Sequence, residues 1–240
     1  MKRLRRVKLI LWSITGLAAA VGLTRFVFGL GATTNLSDAV PWGLWIGFDV
    51  LGGVALAAGG FVITATVYIF RREEYHDIVR PAVLTAFLGY IAVIVGLLFD
   101  LGLPWNIWHP VIEWQHHSAL FEVGWCVMLY TTVLAMEFLP VPLESMSRWG
   151  RIHHLLTRIR LPLVILGIAL STLHQSSLGT LFVIMPHRLH PLWYSPILPV
   201  LFFISAISLG LMMVTFESLV SGTLYGRGAE TKLLSGLGRA

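Results

Sequence analysis

Six long apolar stretches dominate this chain and leave few possible folds. They occupy residues 9–30, 42–70, 81–103, 118–139, 161–181 and 194–221. Each has about 20 residues or more, the length that a helix needs to cross a bilayer. Backbone groups in lipid must be hydrogen-bonded internally, so the expected fold is all-α. The sequence predicts one integral membrane domain over residues 1–240, a polytopic bundle of about six transmembrane helices.

The basic residues predict how this bundle is oriented. With six spans, all but two of the 17 lysines and arginines fall on the side of the N-terminus, and the exceptions are Arg25 and Arg188. Such a bias places the N-terminus in the cytoplasm. We read the first span as a retained helix, because its apolar run is longer than the core of a signal peptide. The basic residues lie in separate membrane-flanking segments, so we predict no nucleic-acid binding.

Small and sulfur-containing residues limit the cofactors that the chain can hold. Cys126 is the one cysteine in the sequence, whereas an iron–sulfur cluster needs about four thiolate ligands. No iron–sulfur cluster or other metal site is therefore expected in this chain. The pairs Gly52-Gly53 and Gly59-Gly60 fall inside an apolar span, where they predict close helix packing rather than a phosphate loop.

Several polar residues lie at similar depth in different spans. The rise of a helix places Asp49 about 10 Å and Glu122 about 6 Å below the surface opposite the N-terminus. Arg25 and Asp100 come near the ends of their spans on that side, and His174 lies in the same half of the bilayer. Polar residues inside membranes usually face a bundle interior and serve a function there. The alternative is that Arg25 snorkels to the surface and Asp100 caps a helix.

The fifth span carries a polar face. Ser171, His174 and Ser177 follow one another at a spacing of three residues and so share one side of a helix. Gln175 points about 100° away, and we expect it to contact the site or a neighbouring helix. Near the opposite boundary, Glu137 lies where a loop arginine is within reach. The sequence thus predicts one polar stripe directed into the bundle.

Two loops on the outer side are rich in Trp, Pro and His. They are residues 103–118 and 181–194. An aromatic belt at the lipid surface accounts for such tryptophans. The functional alternative is that the loops cover a lateral opening through which an amphipathic ligand enters from lipid.

This set of residues suits a quinone headgroup. Quinol oxidation releases two protons and two electrons, so a site needs a hydrogen bond to each oxygen and a nearby base. We expect Glu122, Asp100 and His174 to take part in the chemistry. The expected quinone contacts are Asp49, His174, Gln175, Ser171, Trp42, Arg25 and His117. The same residues would also suit a proton path.

Several ordered motifs together carry a resemblance. They read FGLGATTNLSDAVPWGLWIGFD, YHDIVRPAVL, SALFEVGWCVMLYTTVLAMEF, STLHQSSLGTL and HPLW. They resemble the NrfD/PsrC family of quinone-reactive membrane subunits, and within it the HybB-type subunits of periplasmic nickel–iron hydrogenases. The resemblance extends over residues 25–217.

The resemblance implies a substrate and partners. Members exchange electrons between a quinone pool, menaquinone or ubiquinone, and a ferredoxin-like iron–sulfur subunit on the periplasmic face of the bacterial inner membrane, with nickel–iron hydrogenase subunits beyond it. The quinone lies in a four-helix bundle, here spans two to five. This assigns Asp49, Asp100, Glu122 and His174 to the site.

The chain departs from this family in length. Members usually have about ten spans in two bundles. This chain is therefore a short variant, has its second bundle on a separate chain, or is a truncated form. Three other functions remain open from the residues. These are a haem b cytochrome, with His174 facing His116 or His117, a proton or ion transporter using Asp49, Glu122 and Glu137, and a structural anchor without haem or site.

Overall fold

Six long helices form the bundle in a computed structural model that describes residues 2–37, 43, 46–146, 149–185, 190–226 and 231–238. Each is long and apolar enough to cross a membrane. They are α1 (Lys2–Phe28), α2 (Val50–Tyr68), α3 (His76–Asp100), α4 (Ala119–Phe138), α5 (Arg160–Ile184) and α6 (Leu198–Tyr225). The all-helical architecture with six membrane helices is confirmed. Shorter helices at Gly150–Arg158 and Thr231–Leu237 flank the bundle.

The second span is broken into three pieces. A π-helical segment, Gly47–Gly52, leads into the helix Gly53–Leu56, and a turn separates this from the helix Gly59–Tyr68. At the turn, the Ala58 N–H donates to the carbonyl of Ala55 at 3.1 Å. The carbonyl of Val54 is thereby left without its usual partner four residues on. A span that hydropathy predicts as continuous is therefore interrupted near its middle.

Helices α2 to α5 pack around a common interior. Contacts join α2 to α3, α3 to α4, α4 to α5 and α5 to α2, while α6 packs against both α5 and α2. In contrast, α1 is almost wholly exposed along its length. The interior of the bundle therefore lies between α2, α3, α4 and α5.

Glycines allow the closest helix contacts, as their positions predict. A methyl group on Gly60 would lie 2.5 Å from the side chain of Ala86 on α3, and one on Gly53 would lie 2.9 Å from that of Val93. A methyl group on Gly59 would lie 2.6 Å from the carbonyl oxygen of Gly210 on α6. No Cβ atom fits at such distances, so the glycines fix how closely these helices approach.

The two ends of the bundle differ in charge. Arg25, in the last turn of α1, contacts the last turn of α3, so α1 and α3 start at the same end of the bundle. Where these two helices start, Arg80 of α3 lies 3.4 Å from Glu144, which follows α4. The same end holds the basic N-terminus, and we call it the basic end and the other the opposite end.

Candidate functional site

His174 lies at the centre of the bundle with both ring nitrogens engaged. Its Nδ1 is 2.8 Å from the carbonyl oxygen of Leu170, and its Nε2 contacts the hydroxyl of Tyr90 on α3. A carbonyl only accepts, so the proton of a neutral ring lies on Nδ1. Nε2 then accepts the proton of the Tyr90 hydroxyl. The side chain of His174 is fully buried.

Two tyrosines complete this centre. The rings of Tyr90 and Tyr130 meet edge to face at 4.7 Å, and the His174 ring lies 5.5 Å and 5.8 Å from them. The hydroxyls of Tyr130 and Ser171 are buried, and Ser171 lies beside the hydroxyls of both tyrosines. We call Tyr90, Tyr130, Ser171 and His174 the central cluster. It brings side chains of α3, α4 and α5 together in the interior of the bundle.

Glu122 and Ser177 meet towards the opposite end. The Ser177 hydroxyl donates to the Glu122 carboxylate at 2.9 Å, which joins α4 to α5. Ser177 is buried and Glu122 is exposed. Because Ser177 follows His174 by three residues, the pair lies about 4.5 Å from it along α5. A carboxylate at the surface of the bundle thus lies next to the central cluster.

Glu122 belongs to the first turn of its helix. Ser118 caps α4 by accepting the Phe121 N–H at 3.4 Å. A negative charge in the first turn is stabilised by the helix dipole. The carboxylate therefore also has a structural role at the start of α4.

Aromatic side chains cluster at the start of α4, where Phe121 precedes Glu122 in the sequence. The ring of Trp114 lies 5.0 Å from that of Trp125 and 5.9 Å from that of Phe121. The Trp125 indole N–H donates to the carbonyl of Pro110 at 2.9 Å. The loop before α4 is therefore tied to the first turns of this helix.

Gln175 contacts the broken second span. Its amide donates to the Val54 carbonyl at 3.2 Å, and the side chain is buried. This carbonyl is the one that the break in α2 leaves without a helical partner. The expectation that Gln175 bonds a neighbouring helix is confirmed.

Arg25 and Asp100 lie at the opposite end, where α1 meets α3. Arg25 donates to the carbonyls of Phe99, at 2.8 Å, and Leu101. Both carbonyls belong to the end of α3, where a cation is favoured. Asp100 is the last residue of α3, and one of its carboxylate oxygens is buried. Arg25 thus anchors α1 to the end of α3.

The other predicted contacts lie apart from the central cluster. His117 is exposed in the loop before α4, and its ring lies 4.1 Å from that of His116. The backbone of Asp49 lies in the π-helical segment, whereas its side chain and Trp42 lie outside what the structure describes.

A second polar region lies at the basic end. A cleft there is lined by Tyr68, Glu137, Arg80 and Arg160, and the Arg160 guanidinium lies 4.8 Å from the centre of the Tyr68 ring. The Tyr68 hydroxyl is buried and has no hydrogen-bond partner among the described side chains and backbone. Glu137 and Tyr130 both approach Gly167 of α5. The cleft is thus adjacent to the central cluster.

Sequence reasoning missed Tyr90 and Tyr130. Both lie inside their spans, whereas membrane tyrosines are enriched at the interfaces with water. A buried tyrosine hydroxyl usually finds a partner, and this is the signal that could have found them.

The family profile described as "Polysulphide reductase, NrfD" matches residues 32–239. The chain belongs to the NrfD family. The resemblance drawn from its motifs is thereby confirmed.

Three relatives illustrate its place in this family. A protein of Nitratidesulfovibrio vulgaris, named only "Protein", is 53% identical over 85% of the chain and 54% of its own length. The "Probable Ni/Fe-hydrogenase 2 b-type cytochrome subunit" of Escherichia coli is 38% identical over 88% of the chain and 54% of its own length. The "Menaquinone reductase, integral membrane subunit" of N. vulgaris is 35% identical over 65% of the chain and 38% of its own length.

The chain spans about half the length of the first two relatives, 54% in each case. No solved structure matches it.

Proposed function

We propose that this chain is the quinone-reactive membrane subunit of a hydrogenase-type respiratory complex, exchanging electrons between the quinone pool and a periplasmic iron–sulfur subunit. Family membership and the names of two relatives, a hydrogenase subunit and a menaquinone reductase subunit, support this proposal. The observation that carries it is the Glu122–Ser177 pair. It joins an exposed carboxylate to α5 three residues from His174, whose Nε2 contacts the Tyr90 hydroxyl.

The proposed chemistry begins at Glu122. The carboxylate accepts a hydroxyl proton of quinol and releases it at the opposite end of the bundle, where the side chain is exposed. The second base is His174, reached through the Tyr90 hydroxyl that Nε2 already holds. The two electrons leave to the partner's iron–sulfur cluster, since one cysteine cannot hold a cluster in this chain.

Further parts of the proposal concern the surroundings of this site. Asp100 is proposed as an alternative proton acceptor. The additional quinone contacts are proposed at Asp49, Trp42, His117 and Arg25. We also propose that the complex lies in the bacterial inner membrane, with the hydrogenase subunits on the periplasmic side.

Substitution of the carboxylate tests this function. In the intact complex, Glu122→Gln should slow quinone reduction by the physiological donor about 100-fold. The carboxyl group that accepts a proton from quinol returns one to quinone in this direction, and a positioned acid or base contributes at least that factor. His174→Ala should also slow it. Reduction of an artificial acceptor at the partner subunit should stay unchanged in both variants.

The matched control is Glu73→Gln, which removes an exposed carboxylate at the basic end. It should retain quinone activity. The proposal is wrong if Glu122→Gln and His174→Ala both leave quinone-linked electron transfer at the level of the unchanged protein.

The residues of the bundle do not fit a bis-histidine haem, although the E. coli relative is named a b-type cytochrome subunit. Such a haem needs two histidine nitrogens facing each other from different spans. Among the described histidines, His174 alone is buried, and both its nitrogens are engaged by Tyr90 and Leu170. We expect no Soret shift on reduction of the purified chain, and a haem b spectrum would contradict this.

A second candidate function, proton transfer across the bundle, is favoured by one observation. Glu122 and Glu137 are about 22 Å apart along α4, too far for a direct relay. The central cluster lies between them, and Ser171 within it lies beside the buried hydroxyls of Tyr90 and Tyr130. Donors and acceptors are thus present in the gap.

Proteoliposomes containing the chain alone discriminate between the two functions. Proton uptake without a redox partner, abolished by Tyr130→Phe, would support proton transfer. The absence of uptake, with quinone activity in the complex sensitive to Glu122→Gln, would leave the quinone function alone.

A further inference from the structure

The short helix Gly150–Arg158 between α4 and α5 is strongly amphipathic. Its sequence is GRIHHLLTR. Ile152, Leu155 and Leu156 occupy one side of the helix, and the charged and polar residues occupy the rest. Leu156 is buried against the bundle, whereas Leu155 is 55% exposed. One side of this helix therefore packs on the protein while the adjacent side faces outwards.

Two arginines flank the exposed leucine. Arg151 precedes Leu155 by four residues and Arg158 follows it by three, so all three lie on one face. All three side chains are exposed, as is His154 beside them. We call Arg151, Leu155 and Arg158 the basic face. An exposed leucine between two arginines is typical of a helix at the boundary between acyl chains and headgroups.

The position of the helix agrees with such a boundary. It directly precedes α5, and α5 enters the apolar part of the bundle at Arg160. Trp149, immediately before the helix, is also exposed. Aromatic and aliphatic side chains here would reach the acyl chains, while the arginines reach the phosphates.

The charges of the helix are uncompensated. Residues 150–158 contain no acidic residue. The preceding acidic residue, Glu144, already pairs with Arg80 at 3.4 Å. Within the part of the chain that the structure describes, the arginines of the basic face form no ion pair that they would give up on binding an anion, because both salt bridges there involve other residues.

We infer that the basic face is a binding site for anionic phospholipid headgroups. Arg151 and Arg158 bind the lipid phosphates, and Leu155 inserts between the acyl chains. The charge complementarity of the face selects anionic over neutral lipid, since each arginine near an anionic membrane surface strengthens binding about fivefold. This site is independent of the proposed quinone function, because it lies at the basic end, away from Glu122.

A lipid titration of the purified full chain in detergent tests the inference. Phosphatidylglycerol is the anionic probe and phosphatidylcholine the neutral one, and native mass spectrometry counts the molecules bound. Replacing Arg151 and Arg158 together by Gln should weaken phosphatidylglycerol binding about 25-fold and leave phosphatidylcholine binding unchanged. Replacing both by Lys should retain most of the preference, because the charge remains.

The control variant replaces Arg5 and Arg6 by Gln. It removes the same charge from the same end of the bundle, but from α1. It should bind phosphatidylglycerol like the unchanged chain. Circular dichroism and gel filtration verify that each variant is folded.

Three outcomes would overturn the inference. The first is that the Arg151 and Arg158 double variant retains its phosphatidylglycerol preference. The second is that the Arg5 and Arg6 variant loses as much phosphatidylglycerol binding, which would show that the net charge of the basic end determines binding. The third is that the double variant keeps its lipid binding but, in the intact complex, loses a protein subunit, which would assign the basic face to a protein partner.

Discussion

At the scale of single residues, the hydrogen bond between Tyr90 and His174 has the clearest energetic consequence. Both side chains are fully buried, so neither group can bond water in its place. Tyr90→Phe removes the hydroxyl and leaves Nε2 of His174 buried without a donor. An unsatisfied buried polar group costs about 1–3 kcal/mol. We expect this loss in the free energy of unfolding, seen as a lower thermal unfolding midpoint in detergent.

Tyr225→Phe provides the control for this substitution. Tyr225, the last residue of α6, is 64% exposed, and loss of its hydroxyl should leave the unfolding midpoint unchanged. Equal midpoints for Tyr90→Phe and the unchanged chain would show that the His174 contact contributes no stability.

The same residues show which part of the site is readable from the sequence. His174, Ser171 and Ser177 were predictable as one face, because helical spacing alone places them together. Tyr90 and Tyr130 were not, since their roles depend on partners from other helices and an aromatic residue in an apolar span resembles packing. The Glu122–Ser177 contact was not predictable either, because an estimate of depth in the membrane does not show which residues of neighbouring helices touch.

At the scale of elements, the crossing of α2 and α6 depends on two glycines. A side chain on Gly59 would meet the backbone of Gly210, and a side chain on Gly210 would meet that of Gly59. Gly210→Leu should therefore push α6 away from α2 and destabilise the bundle by a few kcal/mol, as overpacking does. Protease sensitivity of the reconstituted chain and its thermal unfolding midpoint measure the effect.

Gly16→Leu is the matched control, because nothing lies within 4 Å of the position that a side chain on Gly16 would occupy. It should leave the midpoint unchanged. Equal stability of the two leucine variants would show that the α2–α6 contact is loose.

The break in α2 explains another limit of sequence reasoning. Hydropathy detects an apolar stretch but not the hydrogen bonds inside it, so the stretch 42–70 reads as one span. The break falls between Leu56 and Gly59, directly before the pair Gly59-Gly60, and glycine lowers helix stability by about 1 kcal/mol per residue relative to alanine. The spans themselves were predictable, because a helix that crosses lipid needs about 20 consecutive apolar residues, and such a stretch is visible in the sequence.

At the scale of the whole molecule, the distribution of charge predicts topology. The basic end should face the cytoplasm. Because Cys126 is the one cysteine in the sequence, Cys126→Ser gives a background for single-cysteine labelling. In that background, His116→Cys at the opposite end should react with a membrane-impermeant maleimide on spheroplasts. Glu73→Cys at the basic end should react only after permeabilisation.

Labelling of Glu73→Cys in sealed spheroplasts, with protection of His116→Cys, would invert the topology. It would also place the proposed quinone site on the cytoplasmic side. Both positions are exposed, so denatured samples of either variant should label fully and verify that the cysteines are reactive.

Helix α5 holds three neighbours by three nearly consecutive side chains. His174 bonds α3, Gln175 bonds α2 and Ser177 bonds α4. A rotation of α5 about its own axis by one residue, about 100°, would break all three bonds together. The helix therefore has one permitted rotational setting. A motion that preserves these three bonds leaves the rotational orientation of α5 unchanged.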